Sequence, residues 1–132
     1  MKAVKHIVVA VMLAVSSAAW ADWVEVIRHD NATLYADPAT IRKSGDRAKI
    51  WGLMDLKTAD VSASGKPILS EQGQVEFDCK DERWRQLYST QHSGQMGGGE
   101  LTAFDNTPNN EWEPVAPRSG GEALWKVACG KA

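Results

Sequence analysis

Ala48-Lys-Ile-Trp-Gly-Leu-Met-Asp-Leu-Lys57 is the stretch on which the fold turns. Ala48, Ile50, Gly52, Met54 and Leu56 fall on one side and are all apolar or small. Lys49, Trp51, Leu53, Asp55 and Lys57 fall on the other and are mixed. A period of two with one apolar side marks an antiparallel strand resting one face on a core. Ser44-Gly-Asp46 before it reads as a tight turn, and the small polar residues from Asp60 to Pro67 after it read as a hairpin loop. A strand closed off by turns at both ends needs partners on either side.

Upstream, Trp23–Arg28 and Thr33–Tyr35 are predicted as short strands from their β-branched and aromatic content. Asp37-Pro-Ala-Thr40 reads as one helical turn, capped by Asp37 with Pro38 in its first position. Downstream, Ile68–Cys79 is a strand with Val75, Phe77 and Cys79 toward the core and Gln72, Gln74, Glu76 and Asp78 away from it. Lys80-Asp-Glu82 is a charged turn. Asp78, Asp81 and Glu82 form an acidic cluster that reads as solvated and lacks the ligand spacing of a calcium loop. Arg83–His92 is the next strand, with Trp84 and Tyr88 on one face and Arg83, Arg85 and Leu87 on the other. Gly94–Gly99 is a glycine-rich break, expected as a flexible or left-handed hairpin, and Glu100–Phe104 is a further strand. Thr107–Arg118, with Pro108, Pro114 and Pro117, is an irregular connector.

The chain ends in a predicted helix. Ser119-Gly-Gly-Glu122 fits a capping box, with Ser119 as N-cap and Glu122 reaching back. Leu124, Trp125, Ala128 and Cys129 make an apolar stripe, and Gly130 suits the end. About ten residues is marginal for an isolated helix, so this one needs a dock.

At the other terminus, Lys2 and Lys5 precede an uncharged apolar run, Ile7–Val15, and then Ala19-Trp-Ala21. That order predicts a signal peptide over Met1–Ala21, cleaved between Ala21 and Asp22. The run is too short to span the roughly 30 Å of a bilayer core, and no later stretch reads as a transmembrane segment. No lipid-attachment cysteine stands at the cleavage site. The expected product is a single domain, residues 22–132, periplasmic or secreted. Two of the 15 basic residues lie in the leader and none of the 17 acids does, which leaves 13 against 17, or −4, in the exported part. That balance argues against nucleic acid as a partner.

Both cysteines, Cys79 and Cys129, lie in the exported part. An even count in an exported chain favours a disulfide, here between the core-facing strand end and the last helical turn. Closing a loop of that length contributes about 4 kcal/mol through the unfolded chain. Two free buried thiols are the alternative. A zinc site with His29 and His92 lacks ligand spacing.

Signs of catalysis are sparse. The glycine loop lacks the Lys and Ser/Thr of a phosphate loop, and no nucleophile elbow or C-x-x-C motif is present. The reading is therefore non-enzymatic, with no cofactor and no metal. Candidate partner-contact residues are Arg83 and Arg85 on their strand, Trp51 on the mixed face, and Met96 and Glu100 at the glycine loop.

These pieces together resemble a known family. Trp23-Val-Glu-Val26, Tyr35-Ala-Asp-Pro-Ala-Thr-Ile-Arg42, the strand around Trp51, Glu76-Phe-Asp-Cys79, Met96-Gly-Gly-Gly-Glu100 and the terminal Glu122–Lys131 are similar to the surface-adhesin protein E family over nearly the whole exported part. The resemblance implies an α+β fold: an antiparallel sheet of about six strands with a C-terminal helix disulfide-linked to one face. It also implies an exported bacterial envelope protein that binds proteins, either of the envelope or of the host extracellular matrix. The family's adhesin is held at the cell surface as a lipoprotein, and the missing lipid-attachment cysteine departs from that pattern. A periplasmic module binding a small ligand between sheet and helix is the alternative. A small hydrolase comes a distant third.

Overall fold

The structure, a computed structural model, describes residues 22–131. The expected signal peptide, Met1–Ala21, lies outside the described residues. Six strands follow one another as a meander: β1 (Val24–Arg28), β2 (Ala32–Ser44), β3 (Arg47–Val61), β4 (Pro67–Asp78), β5 (Arg83–His92) and β6 (Leu101–Asp105). They pair antiparallel in chain order, and a two-residue strand, β7 (Glu113–Pro114), adds to β5 beside the end of β6. The helix α1 (Gly120–Cys129) lies across β1 to β4 on one face.

The sheet twists around the apolar side of the opening stretch. Ala48 and Ile50 of β3 pack with Leu34 and Ala36 of β2, Phe77 of β4, and Leu124 and Ala128 of α1. Gly52 lies under the helix, where a β-carbon would sit 3.4 Å from a Leu124 methyl. The expected disulfide is present: Cys79 and Cys129 are bonded, with Cα atoms 5.6 Å apart. Ser119 caps α1 by accepting from the Glu122 N–H at 3.1 Å, and Gly130 ends it at φ +66°. Only half of the capping box forms: the Glu122 carboxylate pairs with Lys126 at 3.6 Å instead of reaching back.

Several expectations are corrected. Asp37–Thr40 is not a helical turn but a bulge inside one long strand. Pro38 has no N–H to give to the ladder, and prolines within sheets gather at bulges. Side chains repair the gap. Asp37 Oδ1 accepts from the Ala39 N–H, and the Thr40 hydroxyl donates to the Asp37 carbonyl and accepts from the Trp51 N–H at 2.9 Å. A second bulge corrects the faces of β5. Gln74 pairs with Tyr88 but Val75 pairs with Gln86, so Leu87 is the extra residue. Beyond it the alternation flips, and Trp84 and Tyr88 lie on opposite faces. β3 also runs on to Val61, which leaves a hairpin shorter than expected, and β6 begins at Leu101.

Two segments read as loose or solvated are so only in part: Asp81 and Glu82 are exposed and the glycine loop is a hairpin with left-handed Met96, Gly97 and Gly99, yet each segment is tied to the sheet. Asp78 is buried and accepts from the N–H groups of Lys80 and Asp81 and from Arg83. The glycine loop (residues 93–100) folds back onto the sheet. Ser70 Oγ donates to the Gly94 carbonyl at 2.6 Å and accepts from the Gly97 N–H at 2.8 Å. Asp55 accepts from the Met96 N–H at 2.8 Å.

Candidate functional site

With α1 sealing one face, the other is read as rows of cross-strand partners. Thr33, Asp55, Ser70, His92 and Leu101 form the uppermost row, and Tyr35, Leu53, Gln72, Thr90 and Phe104 the next. The glycine loop covers the β3 to β5 part of this half and leaves Leu101 and Phe104 of β6 exposed. Leu53 is fully buried although it lies away from the helix, because Gly97 sits on it. His92, half-buried, bonds Thr90 through Nε2 at 2.8 Å, and burial lowers its pKa.

Below the loop the face is open. The third row is Asp37, Trp51, Gln74 and Tyr88. The Trp51 and Tyr88 rings meet edge to face with centroids 5.5 Å apart, an arrangement that favours both. Trp51 is a ridge between two depressions. One, of about 530 Å³, lies among Trp51, Leu87, Tyr88, Lys49, Arg85 and the connector residues Asn106 and Pro108. The other, of about 320 Å³, lies toward Trp23, Asp37 and Thr40.

The lowest two rows are charged. Arg42, Lys49, Glu76 and Arg85 form one, and Ser44, Arg47, Asp78 and Arg83 the other. Arg85 donates to Glu76 Oε1 at 2.9 and 2.8 Å, and Arg83 donates to Asp78 Oδ2 at 3.1 Å from two nitrogens. The N–H groups of Asp81 and Lys80, together with Arg83, hold the Asp78 carboxyl below the ordinary carboxylate range despite its burial. Trp112 closes over this corner. The guanidiniums of Arg47, Arg83 and Arg85 each lie 5.0–5.1 Å from its ring centroid, within cation–π reach.

The five contact residues expected from sequence thus separate. Trp51 and Arg85 line the same depression. Arg83 stands behind Arg85, tied to Asp78 beneath Trp112. Met96, 41 % exposed at φ +54°, and Glu100, whose N–H donates to Ser93, belong to the loop at the other end. Leu87, read as extending the face of Arg83 and Arg85, joins Arg85 at the depression, whereas Lys49, Tyr88 and Trp112 are not among the expected contact residues. The bulge hid Tyr88, and Trp112 sits in a connector with no periodicity to place it.

On the helix side, an apolar notch of about 280 Å³ opens between the start of α1 and Met54, Val75 and Trp84. Among the described residues no group of three His, Cys, Asp or Glu side chains could hold a metal ion, and no helix is long and apolar enough to cross a membrane.

A single antiparallel sheet with one face sealed by a tied helix and the other presented defines the structural class. Within it, the chain belongs to the Surface-adhesin protein E family, whose profile matches residues 23–130. That family is one of surface adhesins, not an enzyme class. Among solved structures the chain is similar to crystal form II of Haemophilus influenzae protein E, with a TM-score of 0.64 and 12 % identity over 82 % of this chain and 87 % of that one. A second structure of Haemophilus influenzae protein E gives 0.62 and 12 %, covering 82 % and 83 %. Protein E from non-typeable Haemophilus influenzae gives 0.57 and 11 %, covering 86 % and 79 %. At this identity the likeness speaks for the fold. Comparison with curated protein sequences found no match.

Proposed function

We propose that this is an exported, non-enzymatic binding domain that meets a protein partner through the sheet face opposite α1, centred on Trp51. The observation that carries the reading is the division of that face. The glycine loop covers β3 to β5 in its upper half, while Trp51, Tyr88 and Leu87 are left lining an open depression in the lower half. Aromatic residues beside arginines recur at the centres of protein interfaces. Family membership supports the adhesin-type role. The Met1–Ala21 leader supports export to the periplasm or beyond, with the chain beginning at Asp22.

Immobilised extracellular-matrix and envelope proteins, probed with the purified domain, test the reading. Saturable binding is expected to at least one of them. Trp51→Ala should weaken it about tenfold or more, as central aromatic anchors do, with the circular dichroism spectrum unchanged because the main core lies on the helix side. Binding to none of the panel, or binding indifferent to Trp51, rejects it. Cell fractionation with mass spectrometry of the N-terminus tests the export step.

A further inference from the structure

We propose that the partner segment is acidic: the open face takes a stretch of polypeptide in which carboxylates flank a bulky apolar residue. The carboxylates would meet Arg42, Lys49 and Arg47, and the apolar side chain would enter the depression beside Trp51. This rests on the reading of that face as a protein-binding surface.

The argument begins with an imbalance. The row Arg42–Lys49–Glu76–Arg85 holds three cations and one acid, and that acid is already bonded to Arg85. The row below it holds Arg47 and Arg83 against Asp78, which is bonded to Arg83. Five cations therefore meet the two buried carboxylates and, at the edge, the exposed Asp81 carboxylate 4.0 Å from Arg83, in one corner of a protein whose net charge is −2. Arg42 and Lys49 are direct cross-strand partners. Like charges in that position cost a sheet stability. Neither makes an ion pair within 4 Å among the described residues; Arg42 turns to the Ala39 and Ile41 carbonyls, and Lys49 stays exposed. An incoming carboxylate relieves that repulsion.

Two features select the ligand further. Trp112 packs against Arg47, Arg83 and Arg85, so part of the cationic surface is ordered before any partner arrives, which lowers the entropy lost on binding. Lys49 and Arg85 also rim a depression whose floor is Trp51, Leu87 and Tyr88, with Arg42 opposite Lys49 in the same row. A sulfated polysaccharide would satisfy the charge and leave that apolar floor unused, so a polypeptide fits both. Long-range electrostatic attraction steers such a segment toward this cationic corner.

Fluorescence polarisation with a labelled nonapeptide, eight glutamates around a central phenylalanine, reads the proposal directly. The controls replace phenylalanine by glycine or glutamate by glutamine. The parent peptide should bind saturably, each control at least about fivefold more weakly, and binding should weaken as screening rises from about 50 to 200 mM salt. Lys49→Glu should weaken the parent peptide at least about fivefold while changing the urea midpoint little, because the new acid is opposite Arg42 on one side and Glu76 on the other. Lys49→Gln should weaken it by less. Equal affinity of Lys49→Glu and the parent protein overturns the proposal, and so does the absence of saturable peptide binding. A heparin oligosaccharide bound more tightly than the peptide, and independently of Trp51, overturns it in favour of a glycan. Matrix-protein binding that is lost in Trp51→Ala but kept in Lys49→Glu overturns the acidic partner alone and leaves the protein-binding face standing.

Discussion

Gly97 decides how much of the open face is open. It holds φ +76°, and a β-carbon there would run into the side-chain amide of Gln72 and come within 3.8 Å of a Leu53 methyl. Its N–H is also the donor that fastens the loop to Ser70. Gly97→Ala should cost about 1–3 kcal/mol in urea unfolding through strain at positive φ, and should speed amide exchange at Met96 and Gly97 as the loop lifts off Leu53. A variant with unchanged exchange would mean that the glycine is not what docks the loop. The run Gly94–Gly99 announces a bend, and that much is legible in the sequence. What it conceals is that Ser70 and Asp55, on two other strands, supply the bonds that turn a bend into a cover. A hydroxyl 27 residues away leaves no mark on local composition. The same holds for Arg83 and Arg85. Their types and spacing identify them as noteworthy, but the indole that covers them comes from the connector between β6 and β7.

At the scale of elements, legibility follows locality. The helix was readable to its ends because a cap, a stripe and a terminal glycine are all written within a dozen residues. Its attachment is not self-sufficient: ten residues opening on two glycines form a weak helix alone. The bond from Cys129 to Cys79, 50 residues back, supplies the anchor. Cys129→Ser should lower the unfolding free energy by up to about 4 kcal/mol, the value of a closed loop of this length. The loss should be preceded by fast exchange of the α1 amides while those of β3 and β4 stay protected. Uniform loss of protection would instead make helix and sheet one cooperative unit. The strands show the opposite limit. Alternation placed Ala48–Asp55 of β3 and the facing part of β4 correctly because one register joins them from Arg47 to Asp55. It failed across Leu87 and across Asp37–Arg42, where a bulge changes the parity. Bulges are set by the partner strand and the packing beneath, so a reading confined to one strand cannot see them.

For the molecule as a whole, the charges that shape the open face also set its response to acid. His92 titrates below its ordinary 6.5 because burial disfavours the imidazolium. The unfolded chain then binds the proton more readily, and stability falls as the pH drops below about 6.5. Glu71 works in the opposite sense. Burial raises its pKa above 4.5, so the folded state takes up its proton first and gains stability as the pH falls toward that value. These two oppose each other in mild acid, leaving the steep loss to groups such as Asp78. Its pKa lies below 3.8, held there first by the Asp81 N–H and then by Arg83 and the Lys80 N–H. The stabilisation from its charge is complete above about 3.8 and drains as the pH falls through the lower folded value, at about 1.4 kcal/mol per pH unit for each proton taken up. Asp78→Asn keeps the shape and removes that proton. It should cost about 2–3 kcal/mol near neutrality, where hydrogen bonds to a charged acceptor are lost. It should also flatten the acid limb of a plot of unfolding free energy against pH by up to that slope, measured by urea titration from pH 7 to 2. A variant destabilised equally at every pH would place the acid sensitivity on other carboxylates. It would also mean that the Arg83–Asp78 pair beneath Trp112 holds the cationic corner by packing and not by charge.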